Sequence, residues 1–216
     1  QDICGCEAWW NDEAFINGSV REIREAAEDG EGICAISGGV DSAVAAYLLK
    51  KKGYEVAGLT LRTWDAQEGE DNRCCEIDEA RRTAWKLGIP YYTLNCLSVF
   101  KEAVIDPFIN EYQNGRTPNP CIECNRHLKF ERLYQRGEIL GCDVIVTGHY
   151  ARIIRDHQGY HLLKGRDEKK DQSYVLYSLT QEQLARLRLP LGALTKAEVR
   201  RIAEAKRGEL GIGNQD

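Results

Sequence analysis

No methionine occurs anywhere in the 216 residues, although average usage would place several in a chain of this length. The chain also opens on Gln1, so we expect either a piece of a longer protein or methionines missing from the written sequence. No apolar run approaches the roughly 20 residues that a membrane-spanning helix needs, and no membrane association is expected. No charged-then-apolar leader is visible, so the expected setting is the cytoplasm. Neither sign of charge dominates: 29 Lys and Arg stand against 34 Asp and Glu, a net charge of −5. That excludes a non-specific nucleic-acid coat and leaves room only for a local basic face. Hydrophobic residues at 43% and charged residues at 29% exclude disordered, collagen-like and low-complexity chains. What is abundant is cysteine, at nine. Nine is odd, so complete pairing within the chain is excluded. Without a leader these thiols read as reduced groups, metal ligands or catalytic groups.

Helix and strand signals alternate along the chain. Residues 15–28 place Phe15, Ile16, Val20, Ile23 and Ala27 at helical spacing, closed by Gly30 and Gly32. Short apolar runs at 32–36, 55–61, 90–94 and 143–147 read as buried strands, and helices are expected over 43–52, 78–87, 99–114 and 129–140. Strands of this kind separated by helices predict an α/β fold, a mostly parallel sheet with helices on both faces. Ligands then sit at the carboxyl ends of the strands, in the loops after Ile36, Leu61, Leu94 and Thr147. Residues 152–164 alternate like a hairpin turning at Gln158-Gly159, and 180–205 read as two helices around Pro190 and Gly192. No internal repeat is present.

The strongest motif is Ser37-Gly38-Gly39-Val40-Asp41-Ser42, between a strand and a helix. Two glycines let backbone approach a ligand and take positive φ. The following helix aims free N–H groups and its positive end at an anion. Ser37 and Ser42 add hydroxyl donors. Asp41 would repel a bare phosphate, and makes sense as a helix cap or a holder of a metal ion.

This hexapeptide resembles the loop of the PP-loop ATP pyrophosphatases, and with no Gly-Lys-Ser/Thr it is not a Walker A loop. The resemblance narrows to the tRNA-uridine 2-thiouridylases (MnmA/TrmU). It is carried by Thr117-Pro118-Asn119-Pro120-Cys121-Ile122-Glu123-Cys124-Asn125 with Lys129-Phe130, and by Gly58 with Trp64-Asp65. Thr147-Gly148-His149-Tyr150-Ala151-Arg152, Lys170-Asp171-Gln172-Ser173-Tyr174, and Leu191-Gly192 with Val199-Arg200-Arg201-Ile202-Ala203 continue it. The resemblance implies an adenine nucleotide alpha-hydrolase-like PP-loop fold over 33–152, after an N-terminal helical segment at 1–32. A hairpin and small C-terminal helical portion would fill 153–216. It implies that Ala35, Ile36, Ser37, Gly38, Gly39, Val40, Asp41 and Ser42 bind ATP with Mg²⁺, that Leu61 lies beside the adenine, and that Gly148 contacts the nucleotide. Cys124 would be the nucleophile, with Cys121 and Asp41 also catalytic. Asn119, Pro120 and Cys121 would face the target base, and His149, Lys170, Asp171 and Gln172 would touch tRNA. The implied reaction adenylates uridine O2 and displaces AMP by sulfur from a donor protein or sulfide.

Position 121 is Cys where much of that family has Asp, creating Cys121-x-x-Cys124. A CxxC can be a redox dithiol, half a zinc site or part of an iron–sulfur site. A [4Fe–4S] cluster on Cys121 and Cys124 would need a third ligand, for which Cys4, Cys6 and Cys96 are the candidates. The family's second catalytic Cys and a β-barrel lie beyond the point where this chain stops, so a partner chain or a homo-oligomer is expected to supply what is missing. Residues 1–24 resemble instead the segment leading into the GMP synthetase PP-loop domain. Three alternatives to tRNA thiolation follow: sulfur transfer on a small molecule, GMP synthetase-like amination, and a non-catalytic ATP or iron–sulfur carrier module. Cys34 and Cys142 read as core residues. Cys74 and Cys75 read as loop residues, and His157 and His161 as solvated.

Overall fold

The structure is a computed structural model that describes residues 30–64 and 77–212. The helix expected over 15–28 and Cys4, Cys6, Cys74 and Cys75 lie outside those residues. Strand β1 (Glu31–Ala35) leads through residues 36–39 into helix α1 (Val40–Lys51), then β2 (Glu55–Arg62), α2 (Ile77–Leu87) and β3 (Tyr91–Asn95). Two helical rods follow, each interrupted by a π-helical stretch. Rod α3 comprises Leu97–Phe100, Lys101–Ile105 and Asp106–Gln113, and α4 comprises Pro120–Cys124, Asn125–Lys129 and Phe130–Ile139. Then come β4 (Val144–Val146), the hairpin β5 (Ala151–Asp156) and β6 (Gly159–Lys164), α5 (Gln181–Arg186), β7 (Leu187–Arg188), α6 (Lys196–Ala205) and α7 (Arg207–Leu210). Among the described residues, no helix is long and apolar enough to cross a membrane.

The main sheet is parallel, with strand order β3-β2-β1-β4-β7. Its two faces carry separate cores, because side chains alternate along each strand. Cys34, Ile36, Val144 and Val146 pack with α1, α2, α6 and α7. Ile33, Leu59, Leu61 and Ile145 face the other way, onto Leu128, Phe130 and Leu133 of α4 and onto Leu176 and Leu187. Helix α1 is buried along eight consecutive residues from Ser42 to Leu49. Three alanines among them keep the helix slim enough to lie on the sheet with other helices packed over it.

Two stretches differ from the sequence expectation. Residues 180–205 are not two helices alone, since Leu187 and Arg188 between them pair with Ile145 and Val146 as the fifth strand. Helix α4 begins at Pro120 rather than near residue 129. Asn119 caps it, its side-chain oxygen accepting from the Cys121 N–H at 3.0 Å, and Pro120 opens the first turn.

The chain moves outward in one direction from β1 through β2 to β3, then crosses back to place β4 on the other side of β1. The direction of winding therefore reverses between β1 and β4. In open parallel sheets the crevice outside the carboxyl ends of the strands at such a reversal is where ligands bind.

Candidate active site

The loop after β1 occupies that crevice. Ile36 is buried and continues the sheet, its N–H donating to Leu59 O at 3.0 Å. The Thr60 hydroxyl donates to Ile36 O. Gly38 has φ +80°, a conformation that favours glycine. Ser42 holds the loop shut: its Oγ accepts from the Ser37 N–H at 3.1 Å, lies 3.2 Å from Ser37 Oγ and donates to Gly39 O at 2.9 Å. Gly39 is the N-cap of α1, and no side chain caps that helix. The first turn of α1 thus presents backbone N–H groups and the positive end of a buried helix to the crevice, which suits phosphate.

The loop after β4 lies directly against the first one. A Cβ on Gly148 would stand 3.2 Å from both the Asp41 carbonyl carbon and the Ser42 amide nitrogen, so glycine permits this close approach. His149 follows, with Nδ1 2.9 Å from Thr147 Oγ1 and its ring stacked on Phe130 at 6.1 Å. Burial first, and then the charge of Lys129, lower its pKa to about 3. His149 is therefore neutral near pH 7, and presents a ring and a hydrogen-bonding edge rather than a charge.

Asp41 caps nothing. Both of its carboxylate oxygens accept from Lys196 Nζ, at 2.6 and 2.7 Å, and Oδ1 also accepts from the Tyr150 hydroxyl at 2.9 Å. Neither Lys196 nor Tyr150 was assigned a role from the sequence. Lys196 opens α6 behind a Thr195–Glu198 capping box, and its backbone N–H donates to Asp167 Oδ2 at 2.9 Å. A lysine in the first turn of a helix faces the unfavourable end of the dipole. That mismatch beside a Thr-x-x-Glu signature was the available hint of an external anion.

The thiol segment joins through α4. Cys121 is exposed in its first turn, and Cys124, partly buried, packs against the second core one turn later. Spacing of three residues puts both on one helical face. Asn125, next to Cys124, is 2% exposed and donates from Nδ2 to Val175 O at 3.3 Å. Cys96 is 2% exposed within the core, where burial raises its pKa. Cys34 is fully buried and its thiol is pushed up to about 12, so it stays protonated. Among the described residues no group of three or more His, Cys, Asp or Glu is placed to hold a metal ion. These residues therefore do not fit a three-cysteine cluster.

Residues 170–172 meet the same loop. The Gln172 side chain accepts from the Tyr150 N–H at 3.0 Å, and the Gln172 N–H donates to Tyr150 O at 2.9 Å. Asp171 Oδ1 accepts from the N–H groups of Gly165 and Ser173, and Oδ2 from the Ser173 hydroxyl. Asp171 and Gln172 thus shape the loop, while Lys170 stays exposed. Leu61 is buried in the second core, on the carboxyl half of β2.

A parallel sheet with a Ser-Gly-Gly-Val-Asp-Ser loop opening a buried helix where the strand order reverses defines an α/β nucleotide-binding domain of the PP-loop type. The chain belongs to the tRNA methyl transferase HUP domain family, whose model matches residues 31–214. It is 52% identical over 181 residues to the tRNA-specific 2-thiouridylase MnmA of Geobacter metallireducens, covering 79% of this chain and 49% of that protein. It is 52% identical over 185 residues to the MnmA of Clostridioides difficile, covering 82% and 50%. The chain spans about half the length of the curated relatives it matches. Among solved structures it resembles the U34-tRNA thiolase NcsA from Methanococcus maripaludis with its [4Fe-4S] cluster. There the TM-score is 0.60 at 20% identity, over 94% of this chain and 67% of that one. At that identity the likeness is one of fold. The segment resembling GMP synthetase lies outside the described residues and ahead of the matched span.

Proposed function

We propose that this chain carries the ATP-using and thiol-bearing part of an enzyme that replaces O2 of a tRNA uridine by sulfur. Identity of about half to MnmA proteins over four-fifths of the chain supports the reaction. The observation that carries it in the structure is the meeting of two segments on the 147–150 loop. The phosphate-type loop reaches it through Gly148, and α4, with Cys121 and Cys124, reaches it through the His149–Phe130 stack. A nucleotide and a thiol chemistry on neighbouring loops suit a two-stage reaction.

In the first stage uridine O2 attacks the α-phosphorus of ATP. The bond from that phosphorus to the bridging oxygen breaks, and its electron pair leaves with pyrophosphate. The backbone N–H groups at the start of α1 and the Ser37 and Ser42 hydroxyls hold the phosphates. Mg²⁺, when bound, would neutralise phosphate charge; it takes few carboxylates beside phosphate oxygens and water, and Asp41 is the carboxylate of this loop that would hold it. In the second stage Cys124 takes a sulfane sulfur from the persulfide of a donor protein, whose thiol is released; the terminal sulfur of the Cys124 persulfide then attacks C2, the C2–O bond breaks and AMP leaves. A second thiolate then attacks the Cys124 sulfur and releases the thiolated base. Cys121, three residues away on the same face, is the thiolate the described residues supply. The resulting Cys121–Cys124 disulfide is reset by an external dithiol.

Incubation of the protein with ATP, Mg²⁺ and unmodified tRNA tests the reading. AMP and pyrophosphate are the expected products, formed only with RNA present. ADP and phosphate would refute the PP-loop chemistry, and pyrophosphate release indifferent to RNA would move the acceptor to a small molecule.

A further inference from the structure

Rod α4 makes a π-helical turn just after its two thiols. The turn spans Asn125–Lys129, and the Phe130 N–H donates across it to Asn125 O. Such a turn holds one extra residue, so positions five apart come one above the other. In a regular α-helix they would lie about 140° apart around the axis. Burial follows the π spacing. Asn125 and Phe130 are both buried, and Cys124 and Lys129 are both half-buried. Lys129 therefore stands one turn along from Cys124, on the same face.

The Lys129 ammonium makes no ion pair and no hydrogen bond among the described residues. The other charged groups of this turn are satisfied in other ways. His127 lies 3.2 Å from the Glu123 carboxylate, and Arg126 is exposed. From the 147–150 loop, His149 lies within reach of the Lys129 charge, but it is neutral and offers no counter-charge. A half-buried cation that the protein leaves unanswered is costly, and the anion that answers it is to be sought in the reaction.

We propose that Lys129 is the counter-charge for the sulfur of Cys124, a thiolate when it takes up sulfane sulfur and a persulfide when it attacks C2 of the activated base. This rests on the thiolation reading above. A neighbouring lysine favours the anionic, nucleophilic form of a cysteine sulfur. In the uptake step the Cys124 thiolate attacks the outer sulfur of the donor persulfide. The donor's S–S bond breaks, and its electron pair leaves with the donor thiolate. In the attack on C2 the negative charge passes from the persulfide to the phosphate of departing AMP. The ammonium gains and loses no proton in either step and acts as a fixed charge. A lysine that merely covered apolar surface with its stem would carry its head out to water and impose no field on Cys124.

The test reads that field with two alkylating reagents, anionic iodoacetate and neutral iodoacetamide. Both react with the thiolate, so the ratio of their rates at one pH cancels the thiolate fraction and reports the charge beside the sulfur. Fragment mass spectrometry assigns each rate to Cys124. The ratio in the folded protein is expected to exceed that in the urea-unfolded chain about fivefold. Lys129→Met should abolish the excess and Lys129→Arg should keep it. Arg126→Met removes an exposed, screened charge from the same turn and should change the ratio less than about twofold. A folded ratio no higher than the unfolded one would overturn the proposal, and that result needs no variant to fold. So would equal slowing of both reagents in Lys129→Met, which leaves the ratio unchanged and marks the residue as structural. The measurement uses neither ATP nor RNA. If the ratio behaves as expected but the unaltered protein makes no 2-thiouridine from ATP, tRNA and a persulfide donor, the thiolation reading fails and the charge assignment stands.

Discussion

Gly148 is where the account is most sharply exposed to a single methyl group. A Cβ there would lie 3.2 Å from the Asp41 carbonyl carbon and the Ser42 amide nitrogen, and 3.4 Å from Asp41 O. All three are backbone atoms of the first turn of α1, whose next residues are buried on every side. They cannot swing away as a side-chain tip would, so Gly148→Ala must push the loop and the helix start apart by a few tenths of an ångström. Overpacking of that kind costs roughly 1–3 kcal/mol. For a domain of this size that is a fall of about 2–12 °C in Tm. The displaced atoms are also the ones proposed to hold phosphate, so ATP affinity should fall by more than pure destabilisation explains. Gly208→Ala is the comparison, since nothing lies within 4 Å of the added Cβ and the backbone there is helical. It should leave stability unchanged or raise it by up to about 1 kcal/mol. Urea titration and ATP calorimetry on both variants decide the matter. A Gly148→Ala protein with unaltered midpoint and unaltered ATP affinity would refute the close-approach argument.

Other outcomes follow from the same geometry. Cys124→Ala should abolish thiolation, whereas Cys121→Ala should stall it with tRNA bound to Cys124 through a disulfide that dithiothreitol releases; gel analysis with and without reductant reads this, and full multiple turnover by Cys121→Ala would place the releasing thiol elsewhere. His149 has its pKa lowered from 6.5 to about 3 on folding, so in that interval the unfolded chain takes up a proton that the folded one does not. Stability from this group is therefore present above about pH 6.5 and is lost as pH falls toward 3, and His149→Gln should flatten that part of a stability–pH curve. An unchanged slope would show that His149 is not held neutral. Tyr150→Phe removes a hydrogen bond to a carboxylate and should cost about 1–3 kcal/mol, measurable by urea titration; no loss would mean that Lys196 alone holds Asp41.

The sheet and its ligand edge were legible because the short apolar runs, each closed by glycine or a polar turn, carry the signal locally. Residues 37–42 announced themselves by composition and by position between strand and helix. Strand β7 was not legible. Leu187 and Arg188 sit in a stretch that reads as helix, and only pairing with β4 makes them a strand. The start of α4 was missed because the residues around Cys121 and Cys124 have no apolar stripe of their own, although Asn119-Pro120 is a helix-opening pair. Cys96, a candidate third cluster ligand by its place after β3, is buried in the second core instead. Lys196 and Tyr150 were invisible as partners of Asp41, since nothing local in a sequence reports a contact across 155 or 109 positions.

The central claim is that this chain serves thiolation of a tRNA uridine. Mass spectrometry of nucleosides from total tRNA of cells lacking the gene tests it most directly. The account predicts loss of 2-thiouridine nucleosides, restored by the intact gene but not by one carrying Asp41→Ala or Cys124→Ala. Unchanged 2-thiouridine in the deletion strain would contradict it.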